Sequence, residues 1–411
     1  MPDACPDCRA LLVTDLSEIP WCPACRWNLA TLEPGDGRPG LLARLDHRIA
    51  YRDSLATFER LRTSGGTPPA SRSRWLLTLI SALLLTATLA LAGLGVWLCV
   101  RDFPSWWALP GLLCLAVAWY MRPRSHGVDA AAHLVEKQDA PTLHGLVERV
   151  ANAAGTPLPH IIMVDAEYNA SAGIAGLLRR RRVLTLGTPD WIGLSPQERV
   201  ATLAHELGHF ANGDPRRSLT SQPAVTVFSA LASLTEPMFR PGVYPTMTDR
   251  IAYGLLIPVH KLMVMAHLGT MAVALREAQR AEYRADAIAA RIAGRDATVR
   301  MLDLLVHRDS LVTVTASKAR AQDFTPQGVR AAVAETMTRQ APRAAEHRQH
   351  TLRTETRLLQ THPPTGLRAQ LVAEMPIGAA EVTCSEAESA RIDGELAGLY
   401  GKTRRDVAHL D

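Results

Sequence analysis

Residues 75–100 run without a single charged side chain, and residues 105–121 form a second uncharged run. A helix rises 1.5 Å per residue, so the first run reaches about 39 Å, more than the roughly 30 Å of a bilayer's hydrocarbon core. The second is near the lower limit for a span. Trp106 and Trp107 at one end and Trp119 and Tyr120 at the other suit the two interfaces. Only Arg101-Asp102-Phe103-Pro104 separates the runs, so they are expected to form a transmembrane helical hairpin at 75–121. The bland alternative is a buried hairpin in a soluble core. Arg60, Arg62, Arg72 and Arg74 precede the pair, Arg122 and Arg124 follow it, and the loop carries one Arg and one Asp. The positive-inside bias then leaves both flanks in the cytoplasm of a multi-pass protein of the cell (inner or plasma) membrane. A net charge of +5 is too diffuse to indicate a nucleic-acid partner, which is not expected.

Ahead of the hairpin, Cys5-Pro6-Asp7-Cys8 and Cys22-Pro23-Ala24-Cys25 form two CxxC knuckles. Each can wrap two thiolates around one metal, and together they complete a tetrahedral four-cysteine site, so Cys5, Cys8, Cys22 and Cys25 are expected to bind a structural Zn2+. The alternative is a pair of disulfides or redox dithiols, which a cytoplasmic flank disfavours. This reads as a zinc ribbon over residues 1–30, with Trp21 and Trp27 covering its small core. The polar, Cys-rich start does not read as a cleavable signal peptide. A linker and an amphipathic helix fill residues 31–74. Within it, Leu41, Leu42, Leu45, Ile49, Leu55, Phe58 and Leu61 recur at helical spacing among Arg and Asp, as on a helix that lies against a partner or a membrane surface.

Beyond the hairpin, residues 129–154 read as a helix that stops at Gly155. Ile161–Val164 and Val183–Leu186 read as short strands, Asn169–Gly173 as extended chain, and Arg179–Arg182 as a basic turn. Residues 195–213 then contain His205-Glu206-Leu207-Gly208-His209. Ser195 suits an N-cap, Pro196 the first helical position, and Glu198 completes a capping box. Two histidines four apart share one helix face, so His205 and His209 can reach one metal while Glu206 points at its water. The alternative is a pair of solvated or core histidines. A zinc hydrolase of this type needs a third protein ligand, and Glu282 in Glu282-Tyr283-Arg284-Ala285-Asp286 is the candidate, with Asp286 one turn on to orient a ligating histidine. On spacing alone, an ordinary surface carboxylate pair would be favoured. Two weaker apolar stretches, 217–239 and 251–275, lie between these ligands. Ligands on one side of a membrane require an even number of spans between them. Pro258, Lys261 and the polar content favour none.

In this order, the pieces resemble the HtpX-like and CAAX-prenyl-protease-like membrane zinc metallopeptidases of gluzincin type. They are the hairpin, Asn169-Ala170-Ser171-Ala172, Leu194–Glu198, Ala204–His209, Glu282-x-x-x-Asp286 and Thr361-His362-Pro363-Pro364-Thr365-x-x-Arg368. The resemblance covers roughly residues 75–370. It implies that His205, His209 and Glu282 bind a catalytic Zn2+, that Glu206 is the general base, and that Asp286 orients a ligand histidine. It also implies that His362 and Arg368 lie near the scissile carbonyl and that Asn169, Ala170, Ser171 and Ala172 hold the substrate as an added β-strand. Ser171 replaces the family's usual aromatic, the later membrane pair is weak, and the ribbon is an addition.

The implied fold is α+β and mainly α: a helical metallopeptidase domain with a small β-sheet at 125–375, followed by a helical tail at 376–411. The implied activity is that of a membrane-anchored zinc metalloendopeptidase, working by zinc-activated water on a protein or peptide substrate. A membrane-protein substrate and a role in membrane-protein quality control are the expectations. The lipid bilayer is the other partner, and the active site and both termini lie in the cytoplasm. The rival is a membrane-anchored zinc-binding adaptor without turnover.

Overall fold

The structure, a computed structural model, describes residues 4–33, 40–64, 72–101, 103–122, 131–176, 181–236 and 247–410. Most of both expected linkers, and Asp102, Arg124, Arg179 and Arg180, lie outside the described residues. In chain order the helices are α1 (Leu41–Thr63), α2 (Arg72–Val100), α3 (Ala108–Tyr120), α4 (Pro141–Ala154), α5 (Thr188–Trp191), α6 (Pro196–Ala211) and α7 (Asp214–Leu234). Then come α8 (Met247–Ala293), α9 (Arg295–Val306), α10 (Arg308–Arg320), α11 (Pro326–Gln340), α12 (Ala344–Thr354), α13 (Thr365–Glu374) and α14 (Glu386–Val407). The fold is α+β and mainly helical, as expected. The chain divides into two compact units, residues 1–68, 126–214 and 279–411 in one, 69–125 and 215–278 in the other.

The first unit is built on a four-stranded sheet of order β1-β2-β4-β3. β2 (Ile161–Asp165) and β4 (Arg181–Gly187) pair in parallel at its centre. Ile162, Val164, Leu184 and Leu186 are buried on one face there, and Met163 and Val183 are buried on the other, as suits strands covered on both faces. β3 (Ala170–Ala175) pairs antiparallel with β4 and forms one edge. β1 (His133–Leu134) pairs antiparallel with β2 at the other. That short strand corrects the helix expected from residue 129. The Val135 N–H bonds to the Ile162 carbonyl at 2.9 Å, and the helix begins only at Pro141, whose fixed φ and missing N–H suit the first turn. It ends at Gly155 in the left-handed region, as expected.

α6 starts as its sequence predicts, the Glu198 carboxylate accepting the Ser195 N–H at 2.8 Å. The Gly213-Asp214-Pro215 stop is only a break, because α7 begins at Asp214. Residues 376–411, expected as a tail, supply α14, and its Ile392, Leu396, Tyr400 and Val407 sit in the main hydrophobic core. Asp393 on α14 binds Arg199 of α6 at 2.5 Å, Arg330 of α11 at 2.5 Å and the Tyr400 hydroxyl at 3.0 Å. Arg199 is fully buried and also donates to Ser389 Oγ and the Trp191 carbonyl. One carboxylate thus neutralises part of two guanidiniums that could not otherwise remain inside.

The ribbon and α1 belong to this same unit. Arg353 of α12 lies over the Trp21 ring and donates to Ser17 Oγ and to the Ile19, Asn28 and Leu29 carbonyls. Gln349 accepts from Trp21 Nε1 and donates to the Pro23 carbonyl. Trp21 is buried, as expected of a core residue, and stacks on His350 with centroids 5.6 Å apart. A second hydrophobic cluster joins Val13, Trp21 and Leu29 of the ribbon to Tyr51, Phe58 and Leu61 of α1 and to Tyr283, Leu352, Leu367 and Leu371.

In the second unit α2 and α3 form the expected hairpin, crossing at small residues. A Cβ on Gly95 would lie 2.9 Å from the Gly111 carbonyl oxygen, and one on Gly111 2.8 Å from that of Gly95. α7 bonds to α2 through the Ala224 N–H and Ser81 Oγ at 3.4 Å. His260 and His267 of α8 donate to the Ala232 and Val225 carbonyls of α7 at 3.0 and 3.1 Å. Two helices among the described residues are long and apolar enough to cross a membrane: Trp75–Val100, with mean hydropathy 2.2, and Tyr253–Ala293, with 1.4. The second takes in most of the stretch 251–275, where no further span was expected, and it passes on length and composition with Pro258 and Lys261 inside it.

Asp393→Asn leaves two arginines facing a neutral amide, and breaking a buried pair of this kind costs about 3–5 kcal/mol. The expected outcome is a lowered midpoint in thermal unfolding of the detergent-solubilised protein, with the zinc content of the folded fraction unchanged.

Candidate metal centre

α6 and α8 cross closely enough for three side chains to meet. Gly208 permits this: a Cβ there would stand 3.3 Å from Ala285 Cα, so a larger residue would push α8, and Glu282 with it, away. His205 and His209 project one turn apart, their rings edge to face with centroids 4.9 Å apart. His205 Nε2 lies 3.5 Å from Glu282 Oε2, and His209 Nε2 lies 3.6 Å from Glu282 Oε1. Bonds of about 2.1 Å to a tetrahedral zinc place ligand atoms about 3.4 Å apart. The two separations, each to a different oxygen of Glu282, are close to this, and one donor atom from each of the three residues lies within 4.8 Å of the others.

The surroundings fit a cation. Glu282 Oε2 is buried without a well-formed hydrogen bond, held by ion-pair contacts to His205, His362 and Arg368, which leaves it a lone pair for a metal. Asp286 Oδ1 lies 3.0 Å from His205 Nδ1. A proton held on that nitrogen leaves the Nε2 lone pair facing Glu282 and available to a metal. Burial lowers the pKa of His205, but its contacts with Asp286 and Glu282 overcome this and raise the ring to about 10. The same two carboxylates would offset the charge of a bound cation, which would take the place of that proton.

Glu206, on the same helix, is 8% exposed. Burial raises its pKa, opposed by His205 and His209. Desolvation and the neighbouring Glu206 push Asp190 of α5 up to about 7. The sequence did not single out Asp190, which sits in an ordinary Pro-Asp-Trp turn with no spacing relation to the motif.

His362 and Arg368 part company. His362 precedes α13, keeps 61% of its side chain exposed and sets Nδ1 3.0 Å from Glu282 Oε2, at the solvent side of the ligand set. Arg368, expected near the scissile carbonyl, is 3% exposed. It grips Asp286 through Nε and Nη2 at 2.8 and 2.7 Å, and its Nη1 lies 3.2 Å from Glu282 Oε2. Its donors are engaged with the two α8 carboxylates, so it braces them rather than faces a substrate. β3 packs against α6, and its Ala170, Ser171 and Ala172 lie on a sheet edge with Asn169 just before them.

The four ribbon thiols also converge. Cys5 and Cys25 Sγ are 3.6 Å apart, Cys8 and Cys22 Sγ 3.4 Å, and none is in a disulfide. Each knuckle closes in the same way: the Arg9 N–H bonds to the Cys5 carbonyl and the Arg26 N–H to that of Cys22, both arginines at positive φ. Among the described residues, these four and the His205, His209 and Glu282 trio are the groups able to hold a metal.

Residues 137–375 match Peptidase family M48. The chain is 30% identical over 161 residues to a Protease HtpX homolog of Persephonella marina, covering 39% of this chain and 54% of that one. It is 30% identical over 203 residues to Protease HtpX of Aeromonas salmonicida, covering 47% and 68%. It is 27% identical over 225 residues to Protease HtpX of Aeromonas hydrophila, covering 53% and 74%. No solved structure matches. The family match takes in more than half of the chain and every residue of the metal trio, and the protein belongs to peptidase family M48 as an HtpX-like member.

Proposed function

We propose that the protein is a membrane-anchored zinc metalloendopeptidase whose reaction runs between α6 and the β3 edge. The observation that carries this reading is the convergence of His205, His209 and Glu282, one donor atom of each within 4.8 Å of the others, beside the buried carboxylate of Glu206. A zinc ion held by the three would acidify water and polarise a substrate carbonyl. Glu206 takes the proton of the attacking water and returns it to the leaving amine. Its raised pKa brings it nearer the working pH, where a group can both accept and release a proton. His362, exposed at the solvent side, supplies a donor to the developing oxyanion. Asp286 holds the His205 ring, and Arg368 holds Asp286 and Glu282. The free edge of β3 offers main-chain groups to an extended peptide, so residues 169–172 bind substrate by strand addition.

The α2–α3 hairpin anchors the chain, and α7 with the first part of α8 adds a second pair of spans. That keeps His205 and Glu282 on the same side of the membrane. The arginines flanking the hairpin favour the cytoplasm for that side, and membrane proteins under quality control are the proposed substrates. The ribbon holds a second, structural zinc. Its Trp21 is turned into the enzyme rather than presented to a partner, which speaks against the adaptor reading.

Glu206→Gln is expected to retain two zinc ions per chain and to lose about 10²–10⁴-fold in casein cleavage, the usual range for a general base. Metal analysis beside a protease assay checks this, and wild-type turnover by the variant would sink the mechanism. Cys22→Ser is expected to lose one zinc per chain. It should also speed limited proteolysis of α12 and α13, because the ribbon's core is shared with Leu352, Leu367 and Leu371.

A further inference from the structure

α1 carries two apolar faces, and among the described residues only one is buried. His47, Ala50, Tyr51, Phe58 and Leu61 are buried. On the opposite side of its first half, Leu41 is 72% exposed, Leu42 81%, Leu45 41% and Ile49 49%. Four large aliphatic side chains along successive turns are costly to leave in water, and α1 otherwise presents a polar surface. Arg44, Arg48 and Arg52 recur every fourth residue beside this stripe, and all three are exposed. An apolar stripe bordered by a row of arginines is the pattern of a helix that lies in a membrane interface, its aliphatic side chains among acyl chains and its guanidiniums at anionic headgroups. The covalent chain supplies the proximity. Eight residues separate the end of α1 at Thr63 from the start of α2 at Arg72.

We propose that the outer face of α1, Leu41, Leu42, Leu45 and Ile49 with Arg44, Arg48 and Arg52, is a docking surface for an anionic lipid bilayer. The proposal rests on the membrane-anchored reading above. Its consequence reaches the active site, because α1 is fastened to the segment that leads to His362. His47 Nδ1 donates to the Thr356 carbonyl at 3.2 Å, and Asp46 Oδ2 accepts the Leu358 N–H at 3.5 Å. A lipid-bound α1 holds the mouth of the metal centre at the headgroup layer. The substrates this favours are unfolded polypeptide segments emerging at the membrane surface, rather than free cytoplasmic chains.

The test uses the full-length, zinc-loaded protein in nanodiscs of equal parts phosphatidylcholine and phosphatidylglycerol with a trace of diazirine-tailed phosphatidylglycerol. After illumination, lipid adducts are mapped by mass spectrometry. Adducts are expected on residues 41–52 as well as on α2 and α3. Each basic side chain near an anionic surface is worth a factor of about five, so the triple variant Arg44→Glu, Arg48→Glu, Arg52→Glu should lose at least about tenfold of the α1 adducts and keep those on α2. Discs of phosphatidylcholine alone should lower the wild-type yield on α1 in the same direction. Unchanged zinc content and unchanged casein cleavage in detergent show that the variant is folded. Adducts on α2 and α3 but none on 41–52 overturn the proposal and leave the membrane-anchored reading standing. Absence from all three overturns both. Adducts on 41–52 that are indifferent to charge and lipid composition overturn the assignment of an anionic surface.

Discussion

A single buried guanidinium keeps the acidic half of the metal centre in place. Arg368 holds Asp286 by two bonds and lies against Glu282, and all three are at most 5% exposed. Two carboxylates one turn apart on a helix repel each other, and repulsion inside a protein is weakly screened. Without the arginine, Glu282 and Asp286 would be drawn apart or protonated, and neither state serves a cation. With it, Asp286 lies 3.0 Å from His205 Nδ1 while Glu282 keeps one oxygen toward each histidine. The geometry of α6 against α8 therefore depends on a residue of α13, which is not part of the helix pair at all.

That dependence explains how the unit is layered. The sheet and α4 support α6 from one side through the main core. α14 secures it through Asp393 and Arg199. α8 and α13 are supported through the second cluster, where Tyr283 and Leu367, the immediate neighbours of Glu282 and Arg368, pack with Trp21 and Phe58. The ribbon and α1 thus stiffen the half of the centre that the sheet does not reach. A zinc ribbon alone has too little apolar area for a core of its own, and here it joins a larger one.

Much of this was legible in the residues. Ser195, Pro196 and Glu198 mark the start of α6, and His205-Glu206-x-x-His209 marks its face, because capping and helical spacing are local properties. The two CxxC knuckles were equally plain. The hairpin followed from hydropathy, and Glu282 became legible only through resemblance, since an isolated Glu-x-x-x-Asp is commonplace on helices. What the sequence hid was decided by distant partners. The burial of Arg368 is fixed by α8, 82 positions earlier. The two-residue β1 replaces a helical turn because β2 offers an open edge. The insertion of α14 into the core depends on Arg199, which looks like any surface arginine of an amphipathic helix. His260 and His267 read as polar interruptions until α7 supplies carbonyls for them.

The shared core of ribbon and α12 spans most of the chain: Trp21 bonds to Gln349 across 328 positions, and Arg353 reaches Asn28 across 325. Contacts of such separation close late, since their loop entropy must be met before they contribute. The ribbon leaves the ribosome well before α12, and it finds its final neighbours only once α12 has followed. Cys22 and His205 therefore leave the ribosome long before Arg368, and the fold that braces Glu282 and Asp286 is complete only when α13 has followed.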